Sequence, residues 1–387
     1  MVRLAFNSLE GPNMGKRKMW QLLAALLTLG MIAAACGDSS GDGTTGDTAG
    51  GDTTTTVELA QADGSLLDTI KSRGSLICGV SGSATAFSET QADGSTTGFD
   101  ADYCRAVAAA ITGSADNVQF VNLTASQRFT SLAAGDVDVL FRNTTWTQSR
   151  DTDLGGDFGP TTYYDGQQLM GRVGDGFSAD STVSDIDGAT VCTSAGTTTE
   201  KNVAEAASLE GASFGGINLT TFEAFDDAVD SFISGSCDIL TTDGSGLVGR
   251  KAVQQPADQE WAIFPATPIS KEPLGPMYRQ NDSLFADVVN WTVYATIIAD
   301  EKGVTSANIG SVDPAAEPEL GRLLGLGDDE IQTKMGLSAD AFHNVISQVG
   351  NYEEIYNRNL NPVGLVREGS ANARWTEGGL IYAPPAR

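Results

Sequence analysis

Histidine is almost absent from this chain, with one in 387 residues. Zinc and copper centres built on several imidazoles are excluded by that scarcity. Basic side chains are also few: 23 Lys and Arg stand against 50 Asp and Glu, a net charge of −27 with the histidine neutral. Phosphate recognition needs clustered Lys and Arg, and so acidic a surface repels polyanions, so no nucleic-acid partner is expected. The apolar run Leu22 to Ala35 is too short to span a bilayer as an ordinary helix. Cysteine is limited to five positions.

Lys16, Arg17 and Lys18 precede that apolar run, the charged-then-apolar order of a secretory signal. It ends in Ala33-Ala34-Ala35-Cys36, which is similar to the lipobox of bacterial lipoproteins, with Ala33 where leucine is more usual. The expectation is a lipoprotein signal peptide over 1–35, lipidation at Cys36 and export to the outer face of the cytoplasmic membrane, plain cleavage and secretion being the alternative. Met14 is a second candidate start. Residues 36–65, dominated by Gly, Asp, Ser and Thr up to Thr56, bury too little to offset their conformational entropy and read as an acidic tether. Gly41-Asp42-Gly43-Thr44-Thr45-Gly46 has G-x-G-x-x-G spacing but follows no strand and opens no helix, so it is rejected as a dinucleotide site.

From Leu66 the chain carries a weak internal repeat. Gly74-Ser75-Leu76-Ile77-Cys78 is echoed by Gly188-Ala189-Thr190-Val191-Cys192, and Gly135-Asp136-Val137-Asp138-Val139-Leu140 by Gly235-Ser236-Cys237-Asp238-Ile239-Leu240. Each echo reads as a short buried strand. Ser126 to Ala134 and Ala224 to Ser234 have helical spacing, with Gly135 and Gly235 placed as C-terminal caps. Asp100 is placed as the N-terminal cap of a helix carrying Tyr103, Val107, Ala110 and Ile111 and closed by Gly113. Strands alternating with helices predict an α/β architecture with parallel sheets, whose ligands bind beyond the carboxyl ends of the strands.

Those ends carry Phe141-Arg142-Asn143-Thr144-Thr145-Trp146-Thr147-Gln148-Ser149-Arg150, Gly196-Thr197-Thr198-Thr199-Glu200 and Thr241-Thr242-Asp243-Gly244-Ser245-Gly246. Hydroxyls, a guanidinium and a carboxylate suit a zwitterion. A guanidinium forks onto a carboxylate through two parallel hydrogen bonds, and a Gly-Thr-Thr turn opening a helix adds N–H donors and the positive end of its dipole. An aspartate opposite accepts from an ammonium.

At these residues the chain resembles the polar amino-acid solute-binding proteins of ABC importers, most closely the general L-amino-acid-binding members, over Leu66 to Arg387. The specific stretches are Gly98-Phe99-Asp100-Ala101-Asp102-Tyr103-Cys104-Arg105-Ala106, Asn143-Thr144-Thr145-Trp146-Thr147, Ile269-Ser270-Lys271-Glu272-Pro273-Leu274-Gly275-Pro276 and Gly378-Gly379-Leu380-Ile381-Tyr382-Ala383-Pro384-Pro385. The resemblance implies a two-lobed, type II periplasmic-binding-protein-like fold. It implies that Arg150 grips the ligand α-carboxylate with Thr198 and the Thr197 turn, that Asp243 takes the α-ammonium with Thr145 and the Asn143 carbonyl, and that Phe87 lines the side-chain pocket. Many relatives place an aromatic three residues before that phenylalanine; here it is Ala84, which favours a roomier, less selective pocket. L-amino acids, permease subunits with their ATPase, and a membrane reached through the lipid anchor are the implied partners. A monomer is expected, with no cofactor and no metal.

Several rival roles compete. Arg150 could pair with Asp151 or Asp153 on the surface, and Asp243 could cap the turn at Gly244. Asp136 and Asp138 share a strand face, but where the strand begins, the wrong end for catalysis. Trp146 suits lobe core as well as cleft wall, and His343, with Phe342, Val345, Ile346 and Val349, suits packing. An enzyme needs a positioned acid or base, for which Asp243 and Glu200 are the evident candidates; a cyclohexadienyl-dehydratase-like enzyme on a related fold, or an amino-acid sensor, is the alternative to an importer receptor.

Cys78, Cys104, Cys192 and Cys237 allow three disulfide connectivities. Cys78–Cys104 with Cys192–Cys237 keeps each bridge within one lobe and is the favoured pairing, four free thiols being the alternative. Tyr163 to Met170 leaves the first lobe and Ile269 to Met277 returns, a two-crossing hinge. The expected lobes are 66–166 plus 271–387, and 167–270. The helical pattern Ser283 to Ala299 and the C-terminal segment should pack on the first.

Overall fold

The computed structural model describes residues 66–208, 216–327 and 331–387. The signal-like segment, Cys36 and the tether lie outside the described residues. No described helix is long and apolar enough to cross a membrane.

Two five-stranded sheets are built to the same plan. In the first, Val118–Asn122, Leu76–Val80 and Val139–Leu140 run parallel, and Met277–Arg279 and Gly156–Phe158 close the edge antiparallel. In the second, Asn218–Phe222, Thr190–Ser194 and Ile239–Asp243 run parallel, and Gln167–Arg172 and Trp261–Phe264 close it antiparallel. The sequence repeat maps onto the central strand of each sheet and its parallel neighbour. Its shared aspartates do the same work in both copies. Asp138 Oδ2 accepts from the Ile77 N–H at 2.7 Å and Asp238 Oδ2 from the Thr190 N–H at 2.8 Å, each pinning two strand starts together. Asp138 also pairs with Arg73. Its place is therefore structural, at the end of the sheet away from the cleft.

Each copy holds one disulfide, Cys78 to Cys104 in the first and Cys192 to Cys237 in the second. The helix Phe99–Thr112 is buried along most of its length, which its alanines permit, and it ends at Gly113 in a left-handed cap. The helix Arg128–Ala134 ends likewise at Gly135. The helix Ser283–Glu301 joins the same core, with Ala341–Gln348 and Tyr352–Asn359. His343 is half-buried on the second of these, beside buried Phe342.

Asp100 corrects the capping expectation. Gly98 holds the N-cap place, with φ 127°, and Asp100 lies inside the first turn. A Cβ at Gly98 would come within 2.3 Å of the Phe87 carbonyl oxygen, so only glycine lets the Phe87 loop lie against this helix start. Freed from capping, the Asp100 carboxylate reaches the Asn143 N–H at 2.8 Å.

The two sheets are joined by a two-stranded antiparallel ribbon, Tyr163–Asp165 against Glu272–Leu274. Each ribbon strand leads from one sheet into the other, as a two-crossing hinge requires. The loop after Leu140 is tied to it: the Trp146 N–H donates to the Pro273 carbonyl at 2.8 Å and the Gly275 N–H to the Thr144 carbonyl at 3.1 Å. Trp146 is neither core nor cleft wall; it is exposed and stacks on Phe158.

Candidate functional site

The carboxyl ends of the parallel strands face one another across a cavity whose empty space, open solvent included, is about 700 Å³. Phe87, Asn143, Thr145, Thr197, Thr198 and Asp243 all line it, and so does Ala84. Arg150 stands just behind this wall. It is 8% exposed and its Nη1 donates to the Thr145 carbonyl at 3.0 Å. No ion pair joins it to Asp151 or Asp153 among the described residues.

Asp243 ends its strand and begins the helix Gly244–Gln254, yet its carboxylate makes no capping hydrogen bond. The turn role is thereby set aside and the group is left to the cleft. Opposite, Thr197 Oγ1 accepts from the Glu200 N–H at 3.0 Å while Glu200 Oε2 accepts from the Gly196 N–H at 2.7 Å. This reciprocal cap starts the helix Thr198–Ser208 at the cavity wall and aims its positive end there. Glu200 is thus spent on the helix start.

Several cleft residues have no role in the sequence reading. Arg128, Arg142 and Arg250 line the cavity; Arg250 is paired with Asp226 at 2.7 Å, so with Arg150 three guanidiniums without such a partner gather where one was expected. Arg128 opens a helix whose spacing announces only packing, and Arg142 sits within a quoted strand end without a signal for its direction. Glu272, on the hinge ribbon, accepts from Thr198 Oγ1 at 2.7 Å, Ser270 Oγ at 2.6 Å and Asn202 Nδ2 at 3.2 Å. Asp165, on the other ribbon strand, accepts from Ser245 and from the Gly166 N–H.

None of the three guanidiniums makes an ion pair among the described residues. Burial pushes all three down, Arg142 and Arg150 to about 10, so both remain cationic at neutral pH. Arg128 is lowered furthest, by burial and then by the charges of Arg150 and Arg142. Asp243 is pushed up by burial and then by Asp165 and Glu272. Burial is also what raises Asp165. Of the five buried side-chain polar atoms without a partner among the described residues, three belong to cavity-lining residues: Thr85 Oγ1, Arg128 Nε and Asn143 Oδ1. Unpaired buried polar atoms are costly, and their gathering here marks the cavity as a place for a polar ligand.

The two lobes touch at both rims of the cleft. Arg250 Nη2 donates to the Ser83 carbonyl at 2.7 Å on one side, and Thr124 and Ser126 donate to Glu223 on the other. A Cβ at Gly196 would come within 3.0 Å of Ser126 Cα.

Burial raises Asp100 from 3.8 to about 7. A raised carboxyl contributes stability below its unfolded value and loses it as pH climbs through the folded one. Asp100→Asn keeps an acceptor for the Asn143 N–H and removes the buried charge. Relative to the parent, its unfolding free energy should therefore rise by about 3 kcal/mol between pH 4.5 and pH 8. Urea unfolding at the two pH values checks this; an equal difference at both would contradict it.

The glutamate/glutamine/aspartate/asparagine-binding protein BztA of Rhodobacter capsulatus is 43% identical over 332 residues, covering 84% of this chain and 94% of that protein. The general L-amino acid-binding periplasmic protein AapJ of Rhizobium johnstonii is 41% identical over 335 residues, covering 86% and 95%. Among solved structures, an ABC transporter periplasmic binding protein from Brucella ovis with glutathione bound superposes with a TM-score of 0.78 at 43% identity, covering 84% of this chain and 100% of that one. The profile of the bacterial extracellular solute-binding proteins, family 3, matches residues 76–361. The chain belongs to that family.

Proposed function

We propose that this chain is an extracytoplasmic receptor of an ABC importer that binds L-α-amino acids between its lobes, 66–166 plus 271–387 and 167–270, and presents them to a permease. The observation that carries the reading is the cavity with unpaired guanidiniums on one wall and the uncapped carboxylate of Asp243 on another. A zwitterion supplies the missing partner to both. In this reading Arg150 holds the α-carboxylate with Thr198 and Thr197, and Asp243 takes the ammonium with Thr145 and the Asn143 carbonyl. Phe87, with Ala84 beside it, leaves room for varied side chains. The names of the relatives, and the glutathione in the Brucella structure, fit a binding role with a broad ligand range. Ligand favours the closed form by its differential affinity, and the permease reads that form.

Calorimetry of the purified protein against the twenty L-amino acids should show binding of several of them. Arg150→Ala and Asp243→Ala should each weaken it by on the order of 3–5 kcal/mol, at least a hundredfold. No binding by the parent, or chemical conversion of the ligand, would overturn the reading and favour the enzyme. Export and lipid anchoring at Cys36 complete the proposal, supported by the signal-like sequence before it. Cys36→Ala should release the protein from the membrane fraction of the expressing cell, and an unchanged membrane fraction would contradict anchoring.

A further inference from the structure

A single α-carboxylate occupies a single guanidinium fork, yet three guanidiniums converge on this cleft. Arg128 is 2% exposed. Its Nη groups meet only the carbonyls of Arg142, Asn143 and Gly196, at 3.4, 3.5 and 3.5 Å, and its Nε has no partner. Those contacts lie at the outer limit of hydrogen bonding. Arg142 spends its Nε on the Leu123 carbonyl at 3.1 Å, and its two Nη groups make no hydrogen bond among the described residues. Arg128 and Arg150 both lie over the Phe129 ring, 4.7 and 5.1 Å from its centroid, and the Nη1 group of Arg150 is already engaged by the Thr145 carbonyl, whereas Arg128 and Arg142 reach the cavity wall itself.

Charge is also distributed by wall. The three arginines without an ion pair belong to the segment 128–150, on the first-sheet side, where Asp100 acts on Arg142; Asp165 and Glu272 lie on the hinge ribbon and Asp243 on the second sheet, whose Arg250 is paired with Asp226. A ligand whose ammonium faces Asp243 therefore turns its remaining polar groups toward arginine.

We propose that Arg128 and Arg142 form a second anion subsite, which takes a carboxylate on the ligand's side chain, so that acidic L-α-amino acids are the preferred ligands. This rests on the amino-acid-binding reading above. Arg128 supplies a dry, fixed charge; Arg142 supplies two free N–H forks open to the cavity. The chain's net charge of −27 opposes an anionic ligand at long range, so the preference has to come from this local pair.

L-Glutamate and L-glutamine have nearly the same shape and differ in side-chain charge, so calorimetry with both isolates the subsite, L-alanine reporting on the α-carboxylate site alone. The parent should bind glutamate at least tenfold more tightly than glutamine, and that ratio should fall toward one in Arg128→Gln and in Arg142→Gln. If Arg128→Gln does not fold, Arg142→Gln, whose side chain is partly open to the cavity, decides the matter. A parent without preference for glutamate, or a ratio unchanged in Arg142→Gln, overturns the subsite while leaving amino-acid binding intact. Loss of alanine along with glutamate in Arg142→Gln would also overturn it, by placing that arginine at the α-carboxylate. A parent that binds none of the three overturns both readings.

Discussion

Three guanidiniums held in a cleft without a carboxylate partner are the constraint around which this molecule is arranged. Taking a charge out of water costs several kcal/mol unless a partner and hydrogen bonds replace the solvent. Arg128, Arg142 and Arg150 have backbone carbonyls instead, and Arg128 and Arg150 also have the Phe129 ring. Carboxylates near enough to moderate that cost are Asp243 and Glu272 for Arg128 and Arg150, and Asp100 and Asp243 for Arg142, and Asp243 is itself pushed toward the neutral form. Such an arrangement stores an unmet demand for a dipolar solute. A ligand that bridges both walls satisfies it and adds to the modest contacts that Arg250 and Glu223 make at the rims.

The scaffold holds those charges by simple means. Two sheets of one design each start their central strands on an aspartate that pins the neighbouring backbone. A disulfide within each copy fixes the neighbouring parallel strand, Leu76–Val80 to the following helix in one and Thr190–Ser194 to the residues just before Ile239–Asp243 in the other. The chain passes between the two sheets through the ribbon of Tyr163–Asp165 and Glu272–Leu274, a two-stranded sheet of its own. Glu272 and Asp165 sit on that ribbon and hydrogen-bond to second-lobe residues Thr198, Asn202 and Ser245. The hinge is thereby electrically part of the site.

Much of this was legible in the residues. Repeated glycine-bounded strand patterns gave the two copies, because buried strands and their left-handed caps leave local signatures. The strand ends named Asn143, Thr145, Thr197, Thr198 and Asp243, all of which line the cavity. Direction across space was less legible. Asp100 has the place of a cap, but Gly98 starts the helix and the carboxylate turns to the Asn143 loop. Arg128 occupies a helix start that pattern assigns to packing, and nothing local shows that its side chain crosses to the cleft. Glu272 and Asp165 lie on hinge strands more than a hundred residues apart, and only the folded chain makes them neighbours of Asp243.

The central claim is that a zwitterion completes the charge pairing of this cleft, and a crystal structure with a bound L-amino acid tests it most directly. The ligand should lie inside the cavity, its ammonium within hydrogen-bond reach of Asp243 and its α-carboxylate on a guanidinium of the first lobe. An amino acid bound elsewhere, or one whose carboxylate points at Asp243, would contradict it.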